Sequence, residues 1–191
     1  MTDTTITNPA GADVGVGAGL GVGGRVAMRR QKPMKRPSTA PIGPDRHRFL
    51  AQRLRALLSD CSAAQRAAYR ELRARLLGFG GATMVAPFEP EGHLRDILER
   101  SVLRAGCSAL MNRGRPKKCH ENAARLWWSD PDRYALVTGY ALLWDGAWRE
   151  HSWCVDRRVD RIVETTVRWL RYYGYVLTPD EASAFVLAQL P

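Results

Sequence analysis

Residues 115–128 read Arg-Pro-Lys-Lys-Cys-His-Glu-Asn-Ala-Ala-Arg-Leu-Trp-Trp, and the interpretation of the flanking sequence depends on this stretch. Cys119 begins a helical pattern of apolar residues, which Ser-Asp-Pro at 129–131 ends. Free N–H groups and partial positive charge at a helix N-terminus stabilise a thiolate, and Lys117 and Lys118 add positive charge at this point. Cys119 is therefore the cysteine of this chain whose surroundings favour reactivity.

Three segments rich in aromatic and β-branched residues follow and predict an antiparallel meander of strands at 134–144, 148–156 and 161–167. Side chains alternate along a strand, so His151 and Trp153 are expected on one face of the second strand and Cys154 on the other. A four-residue loop at 156–159 would set His151 directly opposite Glu164 on the third strand. The cysteine, the histidine and the carboxylate then form a set of nucleophile, base and orienting group.

Five short motifs carry a resemblance to a known fold. They are Cys119-His-Glu-Asn122-Ala, Tyr134 followed by Gly139-Tyr140, His151-Ser-Trp153, Val163-Glu-Thr165, and Tyr173-Gly174. In order and spacing they resemble the papain-like fold in its transglutaminase-like ordering, over residues 115–176 of the chain. Two positions depart from the usual pattern of that family: Glu164 stands in place of aspartate, and Ser152 stands in place of alanine.

The resemblance implies a reaction and a role for each matching residue. Cys119 would be the nucleophile, His151 the base and Glu164 the group that orients the base. Asn122 lies one turn after Cys119, where it either supports the site or bonds to loop backbone. The implied reaction is thiol-dependent acyl transfer, in which an amide or ester is hydrolysed or its acyl group passes to an amine. Proteases, amidases, deamidases and transglutaminases share this machinery, so the peptide, amide or ester substrate stays open.

A metal site is the competing interpretation of the same residues. Zinc accepts two cysteines and two histidines, a set that Cys119, His120, His151 and Cys154 supply. However, Cys119 and His120 are adjacent and cannot easily both ligate from a helix start, and His151 and Cys154 are expected on opposite strand faces. We therefore expect neither a metal nor a cofactor. A papain-like domain that has lost catalysis and only binds a partner is a further alternative.

The chain is strongly basic, with 29 lysines and arginines against 19 acidic residues and a formal charge of +10. Residues 1–44 alternate glycine with small residues and then become basic and proline-rich, a composition that predicts a disordered tail. The basic stretch 25–36 suits weak nucleic-acid binding, and a solubilising tail explains it as well. A nucleic-acid-binding or adaptor module is thus the alternative from another functional class.

Residues 45–191 predict a single α+β domain. Its first part, 45–106, is expected to be helical, so that the fold has a helical N-terminal half. Its second part, 107–191, is expected to be a papain-like core, in which the helix that bears Cys119 packs on a small antiparallel sheet. Apolar spacing and capping signals predict further helices at 45–58, 62–78, 93–105 and after Thr178.

Cysteine usage and hydropathy indicate the compartment. Four cysteines in 191 residues do not make a disulfide framework, and Cys61 and Cys107 are expected to be buried or half-buried. No apolar run reaches the length needed to span a membrane. The N-terminal stretch lacks the positive region followed by an apolar segment that is typical of signal peptides. A reduced, cytoplasmic compartment without membrane contact is therefore the expectation.

Overall fold

A computed structural model describes residues 42–190, which form a mixed α+β structure with a mostly antiparallel sheet. Its helices are α1 (Pro44–Asp60), α2 (Ala63–Gly78), α3 (Leu94–Arg100), α4 (Cys119–Ser129) and α5 (Pro179–Gln189). Its strands are β1 (Thr83–Met84), β2 (Val102–Ala105), β3 (Leu110–Met111), β4 (Tyr134–Leu142), β5 (Ala147–Asp156), β6 (Arg161–Glu164) and β7 (Arg171–Val176). The α+β class predicted from the sequence is confirmed at this level.

The sheet has the strand order β2-β7-β4-β5-β6-β3, and β1 pairs with β5 in parallel. Strands β4, β5 and β6 form the predicted antiparallel meander, while β7 returns across β4 instead of following β6. One edge of β5 is paired by β1 at Ala147 and Trp148, and by β6 from Cys154 to Asp156. His151 lies between these two paired segments, on the strand against which α4 packs.

The predicted register between β5 and β6 is wrong by two residues. Cys154 pairs with Val163, and the loop comprises residues 157–160 instead of 156–159. Asp156 stays in the strand because its carboxylate accepts bonds from Arg133 (2.7 Å) and from the backbone N–H of Arg158 (3.0 Å), so the turn begins one residue later. A shift of two residues keeps every side chain on its predicted face.

Two clusters of buried side chains cover the two faces of the sheet. The helical side includes Leu136, Tyr140 and Cys154, and the other side includes Trp153 and Tyr172. Neighbouring residues of β4 and β5 alternate between these clusters, as the period of two in a strand requires. The predicted separation of His151 and Trp153 from Cys154 is therefore confirmed.

The predicted helix at 93–105 is wrong beyond Arg100. Residues from Val102 to Ala105 form β2, which adds an antiparallel edge to β7. Arg100 binds the carboxylate of Glu181 (2.6 Å) and the carbonyl of Val176 (3.0 Å), which holds the end of α3 beside β7. The ladder with β7 then satisfies the backbone of the next four residues, and this outweighs their helical spacing.

The capping predictions for two other helices are confirmed. Ser62 accepts a bond from the backbone N–H of Gln65, and the Gln65 side chain accepts one from the Ser62 backbone. Thr178 and Glu181 form the same reciprocal pair at the start of α5. Local sequence alone determines both arrangements, because each partner lies three residues from the other.

The predicted tail at 1–44 falls almost entirely outside the described residues, and so does its basic stretch at 25–36. Its last residues belong to the folded body, because Ile42 is buried against Leu50 and Ala147, and Pro44 is the first residue of α1. Between residues 42 and 190, no helix is both long and apolar enough to cross a membrane.

Candidate active site

Cys119 is the first residue of α4 and is half-buried. The preceding Lys118 provides no side-chain cap, so the first-turn N–H groups of α4 are not occupied by a capping side chain. Lys117 adopts a left-handed conformation with φ of 61°, which turns the chain sharply into the helix. The thiol therefore stands at an uncapped helix N-terminus, as the sequence predicted.

The loop before Cys119 is fixed at several points. Asn122 clamps it, because its amide accepts a bond from the Arg115 backbone N–H (2.9 Å) and donates one to the Arg115 carbonyl (2.7 Å). One of the two interpretations of Asn122, contact with loop backbone, is therefore observed, and support of the site by Asn122 stays a prediction. Asn112 and Gly114 donate backbone bonds to the carbonyls of residues 164 and 165 (2.9 and 2.8 Å), which tie the loop to β6.

His151 is enclosed by protein. Its side chain is 1% exposed, and its ring lies 4.6 Å from the ring of Trp169, with Trp153 and Tyr172 near 6 Å. Nε2 donates to Glu164 Oε2 at 2.8 Å. The other ring nitrogen, Nδ1, is buried and has no partner in hydrogen-bond geometry within residues 42–190. The imidazole also interacts with the Cys119 thiol, which raises the pKa of His151.

Glu164 is fully buried, and both carboxylate oxygens are satisfied. Oε2 accepts from His151 and from the Tyr172 hydroxyl (3.1 Å), while Oε1 accepts from the backbone N–H and the hydroxyl of Thr166 (2.6 and 2.8 Å). Burial by itself raises the pKa of this carboxyl, but its bonds to His151 and Thr166 lower the pKa below its ordinary value. The group is therefore held as a carboxylate.

The charges of the three residues support one another. Burial opposes ionisation of Cys119, yet bonds to His120 and His151 lower the pKa of its thiol to about 5. Burial also opposes protonation of His151, yet Cys119 and Glu164 raise its pKa to about 9. At neutral pH the arrangement is a thiolate beside an imidazolium, and the imidazolium is bonded to a carboxylate.

His120 is a member of the site that the sequence analysis considered only as a metal ligand. Its Nδ1 lies 2.8 Å from the hydroxyl of Ser152, which in turn donates to Thr138 (3.0 Å), and its Nε2 lies 3.8 Å from Glu150. Burial lowers the pKa of His120, but its bond to Cys119 and the charge of Glu150 give a net rise. The sequence could have indicated His120, because this residue is adjacent to Cys119. It could not have indicated the partners of His120 on β4 and β5, which become its neighbours only in the folded sheet.

The four residues of the alternative zinc site do not come together. Cys154 lies on the helical side of the sheet, where its thiol donates to the Ala123 carbonyl (3.4 Å) and burial raises its pKa to about 12. No group of three or more histidine, cysteine, aspartate or glutamate side chains in the described part of the chain is arranged to hold a metal ion. Cys61 is buried as expected, but Cys107 is exposed, which corrects the prediction for that residue.

The arrangement can perform a defined kind of chemistry. Cys119 is half-buried while His151 is enclosed, so the cysteine is open to a substrate in part and the proton donor is shielded from water. The start of α4 has no side-chain cap, and free N–H groups at a helix N-terminus can bind an oxyanion. Comparisons of this chain with protein-family models, with curated proteins and with solved structures give no match.

Proposed function

We propose that this protein is a thiol-dependent acyl-transfer enzyme with a papain-like core, in which Cys119 is the nucleophile, His151 the proton donor and acceptor, and Glu164 the residue that orients it. The observation that carries the proposal is the bond of 2.8 Å between Nε2 of His151 and Oε2 of Glu164. This bond leaves the opposite ring nitrogen for the thiol, whose pKa is lowered to about 5.

The first half of the reaction forms an acyl-enzyme. The Cys119 thiolate attacks the carbonyl carbon of an amide or ester, a C–S bond forms, and the carbonyl electron pair moves to oxygen. N–H groups at the start of α4 bind the resulting oxyanion. As the intermediate collapses, the C–N or C–O bond breaks, and His151 gives its proton to the departing amine or alcohol.

The second half releases the acyl group. Water or an amine gives a proton to His151 and attacks the thioester carbon, and the C–S bond then breaks to restore the thiolate. Throughout both halves Glu164 keeps Nε2 protonated and balances the positive charge of the ring. Trp153, Trp169 and Tyr172 surround the ring, which prevents water from competing for its protons.

An activated ester tests the proposal. With p-nitrophenyl acetate at pH 7, we expect a burst of p-nitrophenolate and an acetyl group on Cys119 that mass spectrometry of the peptides locates. Cys119→Ser should abolish the adduct, whereas Cys107→Ser, which alters an exposed cysteine, is the matched control and should leave it unchanged. Equal acylation of all four cysteines in the folded protein would overturn the proposal.

The fate of the acyl group separates an active enzyme from a papain-like domain that has lost catalysis. An active enzyme transfers the acetyl group to water or to an added amine and continues to release p-nitrophenolate. A domain without catalysis stops after the burst, with the acetyl group still on Cys119.

A further inference from the structure

A cavity of about 480 Å³ lies on the helical side of the sheet, next to the candidate active site. His120 forms the wall between this cavity and Cys119, and Thr138 and Glu150 form part of the floor. Thr138 and Glu150 lie on the neighbouring strands β4 and β5. His120 therefore connects the cavity with the candidate active site.

Part of the lining is apolar. It comes from α3, from α5 and from the residue before α5, and it consists of Ile97, Leu177, Ala184, Phe185 and Ala188. This surface suits a hydrocarbon chain of moderate length, since burying each methylene contributes about 0.8 kcal/mol.

The remaining lining contains three glutamates, two of which already have partners. Glu181 binds Arg100 at 2.6 Å, and Glu150 lies 3.8 Å from His120. Glu91 differs, because its Oε2 is buried and has no hydrogen-bond partner within residues 42–190. Burial and the charge of Glu150 raise the pKa of Glu91 to about 8, against the opposing effect of the Tyr140 hydroxyl.

Tyr140 lies close to Glu91, and its hydroxyl interacts with the Glu91 carboxyl. Its side chain is 0% exposed and lies on the same strand face as Thr138, which lines the cavity. Its hydroxyl also has no hydrogen-bond partner within the described residues. The two groups form one site, in which neither reaches hydrogen-bond geometry with another polar atom of residues 42–190. A buried carboxyl with spare acceptor capacity in a cavity suits a ligand that donates to it.

We propose that this cavity is a substrate pocket that takes a cationic group, an ammonium or a guanidinium, carried on a short apolar chain of the acyl donor, with Glu91 as the counter-ion. Glu91 has a raised pKa and is mostly protonated at pH 7 in the free protein, so it loses its proton as the cation binds. The ligand cation donates to Glu91 Oε2, and its chain lies on the apolar wall. The proposal rests on the proposed function in placing the reacting carbonyl at Cys119. The formal charge of the chain is +10, so attraction of a cation here would come from the pocket and not from the protein as a whole.

Direct binding tests the pocket without any reaction. Isothermal titration of the full chain with pentylamine, a cation at pH 7, should give saturable binding, and 1-pentanol should bind at least tenfold more weakly. Glu91→Gln should weaken pentylamine binding at least tenfold. Glu89→Gln removes an exposed carboxylate two residues away and should leave binding unchanged.

A second variant covers the case in which Glu91→Gln fails to fold. Ala184 lines the cavity and is exposed at its rim, so Ala184→Trp can fill the entrance without disturbing the core. This variant should weaken binding of both pentylamine and 1-pentanol. Equal binding of the amine and the alcohol to the wild-type protein would overturn the proposal, and so would an absence of amine binding.

Alkylation rates then distinguish failure of the pocket from failure of the proposed function. We expect a chloroacetamide with an aminobutyl chain to modify Cys119 at least tenfold faster than its butyl counterpart, with no such preference at the exposed Cys107. Fast alkylation of Cys119 without preference for the cation would overturn the pocket alone. Amine binding that depends on Glu91, together with a Cys119 no more reactive than Cys107, would overturn the proposed function and keep the pocket.

Discussion

Glu164 lies diagonally across the β5–β6 pair from His151, and its Oε2 is nevertheless only 2.8 Å from Nε2 of the imidazole. Diagonal partners on neighbouring strands are separated by about 7 to 8 Å between their backbones, compared with about 5 Å for directly opposed residues. The glutamate side chain is one methylene longer than aspartate, and this extra length suits the diagonal position. The family that this sequence resembles has aspartate at the position of Glu164. The longer glutamate fits here because the observed register places it diagonal to His151 and not directly opposite.

Shortening the side chain of Glu164 should therefore slow the acylation of Cys119 even when its negative charge is kept. Glu164→Asp keeps the charge but loses about 1.5 Å of reach, so we expect the acylation rate of Cys119 by p-nitrophenyl acetate to fall at least tenfold. Glu164→Gln keeps the reach but loses the charge, and its rate should fall roughly 10²- to 10⁴-fold. Tyr172→Phe removes only the hydroxyl bond of 3.1 Å to the same oxygen and is the mild control. Wild-type rates in Glu164→Asp would contradict this account.

Alkylation of Cys119 should depend on pH in a way that the pKa values define. Because the pKa of Cys119 is lowered to about 5, its rate of reaction with iodoacetamide should be half-maximal near that pH and level above it. Cys107 in the same sample serves as the exposed reference cysteine. His151→Ala and His120→Ala should each move the midpoint for Cys119 upward, because each removes a positive partner of the thiolate.

Acyl transfer from an amide should instead show a bell-shaped dependence on pH. The reaction needs the thiolate, which forms above about 5, and the imidazolium, which is lost as the pH rises through about 9. The alkaline limb should be weaker with an activated ester, since p-nitrophenolate leaves without a proton. Measuring kcat/KM for an amide and an ester of the same acyl group checks this difference, and identical profiles would argue against His151 as the proton donor.

The Asn122 clamp should affect both stability and reactivity. Asn122→Ala removes two bonds to Arg115 backbone, so we expect the free energy of unfolding to fall by about 1 to 3 kcal/mol and alkylation of Cys119 to slow. Asn112→Ala is the matched control, because the contact of Asn112 with β6 comes from its backbone N–H and survives the substitution. Denaturant unfolding measures the first effect and peptide mass spectrometry the second.

The close approach of β4 and β7 should not tolerate a side chain at Gly174. A Cβ at this position would lie 2.5 Å from the carbonyl oxygen of Thr138 and 2.5 Å from the Trp153 ring, which stacks near His151. We expect Gly174→Ala to destabilise the protein by about 1 to 3 kcal/mol, whereas Gly78→Ala, which has open space around it, should be neutral or slightly stabilising. Thermal unfolding of the two variants provides the comparison.

The N-terminal boundary can be tested by two deletions. Removing residues 1–41 should leave the melting temperature nearly unchanged, as predicted from the composition of the tail. Extending the deletion through Ile42 removes a buried side chain that packs on Leu50 and Ala147, and it should cost about 1 to 3 kcal/mol. A melting temperature that drops by several degrees on the shorter deletion would contradict the tail prediction.

The sequence by itself determined the features that depend on neighbours within a few residues. Cys119 at the start of α4, the capping residues Ser62 and Thr178, and the alternation of faces along β5 were all predicted and are all observed. Each follows from the period of a helix or strand, or from bonds that span three residues, so local sequence is sufficient to specify it.

Only the tertiary structure decided the features that join distant segments. The β5–β6 register depends on Arg133, which binds Asp156 from the turn before β4. The placement of Tyr172 against Glu164 depends on the return of β7 across β4. The bond of His120 to Ser152 likewise requires α4 to pack on β5. Local spacing leaves several registers and strand pairings with similar free energies, and long-range contacts worth a few kcal/mol select among them. The set of partners around Cys119 therefore forms only in the folded chain.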